Sequence, residues 1–153
     1  MIISPLQAYL HAYNNFPEFP DDWMITQNFS WKEAFTNERR EDGVPILEVF
    51  KNVAKTAEMM QIIRGRLGKP IIVHCWVRQI PHNIRAGSTA ARSPHINGRA
   101  VDFHVEGIPD KTLQRKIYNM NLRVRIEKDT VGWTHIDIGN SYTNAMNWGY
   151  FTA

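Results

Sequence analysis

The chain has 153 residues, enough to bury a sizeable core and most simply one domain over 1–153, and no apolar run approaches the ~20 residues that span a bilayer. Its 43% hydrophobic and 22% charged residues are those of an ordinary globular protein, and a net charge of +3 suits an anionic polymer such as nucleic acid or bacterial cell wall. The single cysteine, Cys75, excludes an internal disulfide framework and a Cys-rich zinc site, so any metal must be held by His, Asp or Glu.

The first five residues carry no basic segment leading into an apolar one, so we expect no signal peptide and synthesis in the cytosol. Residues 4–14 read as a helix, with Ser4 as cap, Pro5 in the first turn, and Leu6, Tyr9, Leu10 and Tyr13 at helical spacing. Pro17 and Pro20 make 15–22 a loop. A helical turn follows at 29–35, where Ser30-Trp31-Lys32-Glu33 is a capping box entered through Phe29. The strongest helix is 45–67, in which Val49, Phe50, Val53, Ala57, Met60 and either Ile63 or Ile62 recur at three- and four-residue steps; Gly68 and Pro70 stop it. Residues 71–78 form a β-rich run, with His74 and Arg78 on one face, and 79–92 read as a loop. Further on, 109–120 is a helix with Leu113 and Ile117 inward, and 122–127 alternates as a strand. The tail, 140–153, is aromatic and is expected to pack back as a cover. Helices on one side of a small, mainly antiparallel sheet make the fold class α+β.

The chemistry concentrates in Ser93-Pro94-His95-Ile96-Asn97-Gly98-Arg99-Ala100-Val101-Asp102-Phe103-His104. From Ala100 the run alternates as a strand, with Asp102 and His104 on one face and Val101, Phe103 and Val105 on the other. His95 comes from the preceding loop, and Gly98 lets the backbone bend between them. A second strand, 133–138, places His135 and Asp137 opposite Ile136 and Ile138. Two neutral imidazoles and one carboxylate, His95, Asp102 and His135, make a three-ligand set that leaves zinc an open position. His104 stands one strand step of ~6.8 Å from Asp102, awkward for shared ligation, and is read with His74 as pocket wall. His11 and His82 are left to the first helix and to a loop.

Ser93-x-His95-x-x-Gly98-x-Ala100-x-Asp102 resembles the signature of the zinc D-Ala-D-Ala carboxypeptidase-like peptidases, a family of bacterial wall-remodelling enzymes and phage endolysins. The resemblance covers roughly 28–138 in order. It takes in Phe29-Ser30, Gly43-Val44-Pro45, the long helix, Leu67-Gly68-Lys69-Pro70-Ile71-Ile72-Val73, Trp76-Val77-Arg78, Asn83 and Gly132-Trp133-Thr134-His135-Ile136-Asp137. It implies a DD-peptidase-like fold with His95, Asp102 and His135 on zinc. Arg78 would hold a substrate carboxylate, for which a bidentate guanidinium is suited, and Ser93 would line the pocket.

Many members carry an acid three residues before the last histidine, where this chain has Gly132. The general base is therefore expected from Glu127, with Asp137 as the other candidate or as the group that orients His135. The implied activity is hydrolysis of an amide in peptidoglycan stem or cross-link peptides, by a phage-type lysis or virion protein. The alternative is a structural or binding module that keeps the fold and has lost turnover. Nucleic-acid binding, through scattered arginines such as Arg64, Arg92 and Arg99, is a weaker expectation.

Overall fold

The computed structural model describes residues 1–87, 93–127 and 129–139, so the aromatic tail lies outside the described residues. Helix α1, Pro5–Asn15, starts at a capping box in which Ser4 and Gln7 satisfy each other's backbone N–H. Strands β1, Met24–Thr26, and β2, Phe29–Ser30, pair as a short hairpin and lead directly into α2, Trp31–Ala34. The capping box expected at Ser30 is present: its hydroxyl accepts the Glu33 N–H, and the Glu33 carboxylate accepts the Ser30 N–H. Helix α3, Leu47–Leu67, is the longest element and ends at Gly68 in the left-handed conformation.

The main sheet follows. Strands β3, Ile72–Cys75, and β4, Ala100–His104, pair antiparallel. Helix α5, Asp110–Asn119, then leads to β5, Arg125–Ile126, and β6, Thr134–Asp137. With α4, Ile80–Arg85, inserted after β3, the sheet runs β3-β4-β6-β5 and is antiparallel throughout. This is the α+β class the sequence predicts.

The sheet has two chemically different faces. Val101, Phe103, Ile126 and Ile136 are buried in one cluster with Phe50, Val53, Ala57, Met60 and Ile63 of α3 and Leu113 and Ile117 of α5. At ~1.5–3 kcal/mol for each large apolar side chain removed from water, this face supplies the driving force that holds the sheet in place. The opposite face carries Asp102, His135 and Asp137, polar groups that the hydrophobic effect does not need.

Three local expectations change. In α1 the buried positions are Ala8 and Ala12, with Tyr9 edge-on to Phe50; Leu6, Leu10 and Tyr13 are exposed. Small alanines let the α1 backbone lie close against α3, a packing that apolar periodicity alone does not reveal. Residues 79–92, read as a loop, contain α4, whose Pro81 occupies a first-turn position where the missing N–H costs nothing. The strand expected over 122–127 is reduced to Arg125–Ile126, and Leu122 and Val124 instead pack against the core from an irregular approach.

Candidate metal centre

His95 sits on a 3-10 turn, Pro94–Asn97, that Ser93 caps by accepting the His95 N–H at 3.3 Å. The turn closes at Gly98, whose φ of 75° favours glycine; a Cβ there would meet Val53 Cγ2 at 2.7 Å. The Gly98 carbonyl accepts hydrogen bonds from Thr56 Oγ1 at 2.9 Å and Trp76 Nε1 at 3.2 Å, which tie the turn to α3 and to the end of β3. The chain after β3 also holds the histidine from both sides. His95 Nδ1 lies 2.7 Å from the Trp76 carbonyl, and the Arg78 N–H donates to the His95 carbonyl at 3.0 Å.

A carbonyl only accepts, so Nδ1 of His95 carries the proton and Nε2 presents a lone pair. That Nε2 is buried, makes no hydrogen bond among the described residues, and faces Asp102 Oδ1 at 3.2 Å. Two acceptors aimed at each other in a buried place repel unless a positive centre lies between them. Asp102 Oδ1 also lies 2.8 Å from His135 Nδ1, and His135 Nε2 lies 3.1 Å from Asp137 Oδ2. One ligand atom from each of His95, Asp102 and His135 falls within 4.8 Å of the other two, a spacing and donor set that fit a metal ion.

Sheet register explains the convergence. Cys75 pairs with Asp102, Asp102 with His135, and the Glu127 N–H donates to the His135 carbonyl at 3.1 Å. Directly opposed residues of antiparallel strands share a face, so Cys75, Asp102, His135 and Glu127 form one row across the sheet. Asp137 stands in the next row, opposite Arg125.

The charges respond to this arrangement. Burial alone would raise Asp102, but the His135 imidazole, hydrogen-bonded to it, holds it well below the usual carboxylate range. Burial alone would lower His135, but the carboxylates of Asp102 and Asp137 override it and raise its pKa to about 9. The metal-free site thus keeps a proton where a cation would bind. Burial pushes the Cys75 thiol up to about 11, so in the metal-free site it is neutral at physiological pH and no ready fourth ligand.

The two candidate bases differ. Asp137 is fully buried and receives Arg125 Nε at 2.8 Å, Arg125 Nη2 at 3.0 Å and the Gly139 N–H at 2.9 Å in addition to its His135 contact. Its oxygens are already engaged. Glu127 is part-exposed, beside His135 in the same row. Arg78 follows β3, with a buried Nε that has no hydrogen-bond partner among the described residues. Arg125 went unread in the sequence, although its position two residues before Glu127, on the same strand face, was the available signal.

The family model described as Peptidase M15 matches residues 17–137, most of the chain and all three ligand candidates. The chain belongs to the M15 peptidase family. Membership indicates a metallopeptidase, and the His95–Asp102–His135 cluster is the group that fits its metal. Neither the curated proteins nor the solved structures yield a match to this M15 chain. No helix among its described residues is long and apolar enough to cross a membrane.

Proposed function

We propose that this M15 chain is a zinc-dependent peptidase that hydrolyses an amide bond in the stem or cross-link peptides of peptidoglycan. The observation that carries the reading is the buried Nε2 of His95, which has no hydrogen bond among the described residues and faces Asp102 Oδ1 at 3.2 Å. His95 Nε2, Asp102 Oδ1 and His135 Nδ1 would hold the ion. When bound, zinc supplies a Lewis acid that polarises a scissile carbonyl and makes water acidic enough to lose a proton near neutral pH.

The chain's own residues supply the rest. Asp137, fixed by Arg125, accepts the Nε2–H of His135 and keeps Nδ1 turned toward Asp102. Ser93 caps the turn that presents His95, a positioning role beside the pocket role expected of it. Arg78 offers a carboxylate of the peptide substrate the planar donor array of its guanidinium. Glu127, opposite His135, takes a proton from the attacking water and returns it to the leaving amine. A role in phage lysis or in the virion belongs to the same reading, with the action on the cell wall.

The absence of an acid at Gly132 favours a second reading, a binding module that keeps the fold without turnover. Glu127→Gln separates the two. An enzyme using Glu127 retains one zinc per chain and loses about 10²–10⁴-fold in rate, the usual contribution of general acid–base catalysis. Wild-type protein that holds zinc yet releases no peptide from cell walls would establish the binding module instead.

A further inference from the structure

The polar face of the sheet continues past the M15 centre to its edge. Strand β3 is an edge strand, and its pairing with β4 shifts register between Val73 and Cys75, leaving His74 as the extra residue of a bulge. Bulges at sheet edges re-aim side chains, and this one turns His74 toward His104. His74 Nε2 and His104 Nδ1 face each other in direct contact, with the rings at 72° and their centroids 4.7 Å apart. The His74 carbonyl accepts a hydrogen bond from Asn37 Nδ2 at 2.6 Å, which anchors the bulge.

The far nitrogen of His104 is engaged as well. Its Nε2 lies 3.1 Å from Glu106 Oε1. A carboxylate accepts, so Nε2 of His104 bears the proton and Nδ1 accepts a hydrogen bond from His74 Nε2; an ion takes the place of that shared proton once His74 carries its own proton on Nδ1. This is the carboxylate–histidine arrangement that orients imidazoles on metals. His74 is exposed and His104 part-exposed, so an ion reaches both nitrogens from solvent.

We propose that His74 Nε2 and His104 Nδ1 chelate a second divalent transition-metal ion, with Glu106 orienting His104. Imidazole donors select zinc, nickel or copper over calcium and magnesium. The site is distinct from the first. Asp102 and His104 are separated by a strand step of ~6.8 Å, whereas ions that share one reacting oxygen stand ~3.5–4 Å apart. It is therefore a peripheral site beside the M15 centre and no binuclear half of it. With only two protein donors it binds more weakly than the first.

The test compares zinc uptake by the metal-stripped full chain and by its His74→Ala/His104→Ala variant, using calorimetry and elemental analysis. The proposal requires a difference of one zinc equivalent, the weaker one, between wild type and the double variant. Equal uptake by the two proteins overturns it, whether both bind one ion or two. The comparison does not depend on the first centre: wild type binding one ion that the double variant loses would sustain this site and sink the other. His74→Ala alone, at an exposed position, should remove the same equivalent with an unchanged melting curve. Glu106→Gln should weaken it by about 10-fold or more, as loss of an orienting carboxylate does.

Discussion

Two histidine–carboxylate groups, each partly buried, flank Arg78, and only one of them is built for a metal. On the sheet, His95 Nε2 faces Asp102 without a hydrogen bond among the described residues. On the far side of Arg78, the buried Glu38 accepts the Gln79 N–H at 2.6 Å and faces His82 Nδ1 at 3.2 Å. Asp42 and Arg85 pair alongside at 3.0 Å, and Gln79 Nε2 donates to the Gly43 carbonyl at 3.0 Å. Here each acceptor meets a donor, and the result is a clamp that fastens α4 to residues 38–43. Burial raises the Glu38 pKa, and its hydrogen bonds from Gln79 and His82 only partly offset that. A histidine beside a carboxylate is common to both groups. What sets the metal centre apart is the mismatch of acceptors, which a cation resolves.

The largest expected effect follows from removing the shared oxygen. Asp102→Ala should lose zinc and wall-degrading activity together, and metal analysis beside a turbidity assay reads both. Glu127→Gln should keep the zinc and lose rate by about 10²–10⁴-fold in the same assay. If it loses the metal instead, Glu127 is a ligand and the row across the sheet has been misassigned.

Glu38→Ala tests the other side of the comparison. It strands the Gln79 N–H and His82, at roughly 1–3 kcal/mol for each buried group left unsatisfied. Chemical denaturation should show that loss while zinc stoichiometry stays the same. A variant that lost zinc instead would erase the distinction between clamp and centre.

The smallest effect concerns pH in the metal-free protein. His135 has its pKa raised to about 9 from an ordinary 6.5. Its protonated form is favoured by folding, so that stabilisation is complete below pH 6.5 and disappears as pH rises through 9. The melting temperature of stripped protein should fall across this window. Zinc-loaded protein should not show the fall, because the ion replaces the proton, and Asp137→Asn should reduce it.

Much of this was legible in the chain, because the signals were local. Alternation around Asp102 and around His135 separates an apolar face from a polar one, and the capping box at Ser30 is a matter of four consecutive residues. The α3 stripe, Val49 to Ile63, is likewise a local periodicity. What escaped depended on pairing between distant segments. Arg125 gains its meaning from standing opposite Asp137, and the Trp76 carbonyl from reaching His95 Nδ1. Glu38 and His82 are 44 residues apart and neither is conspicuous alone. The buried alanines of α1 were missed for a related reason: close helix approach rewards small side chains, which hydrophobic periodicity counts poorly.

As proposed, the His95–Asp102–His135 cluster makes this M15 chain a zinc-dependent cutter of wall peptides. The most direct measurement is mass analysis of purified peptidoglycan digested by zinc-loaded wild type and by Asp102→Ala. Fragments newly cut at an amide of the stem or cross-link are expected with wild type, none with the variant, and none with wild type stripped by a chelator until zinc is restored. Intact peptides after digestion by protein that holds its zinc, or cleavage that persists in Asp102→Ala, would contradict it.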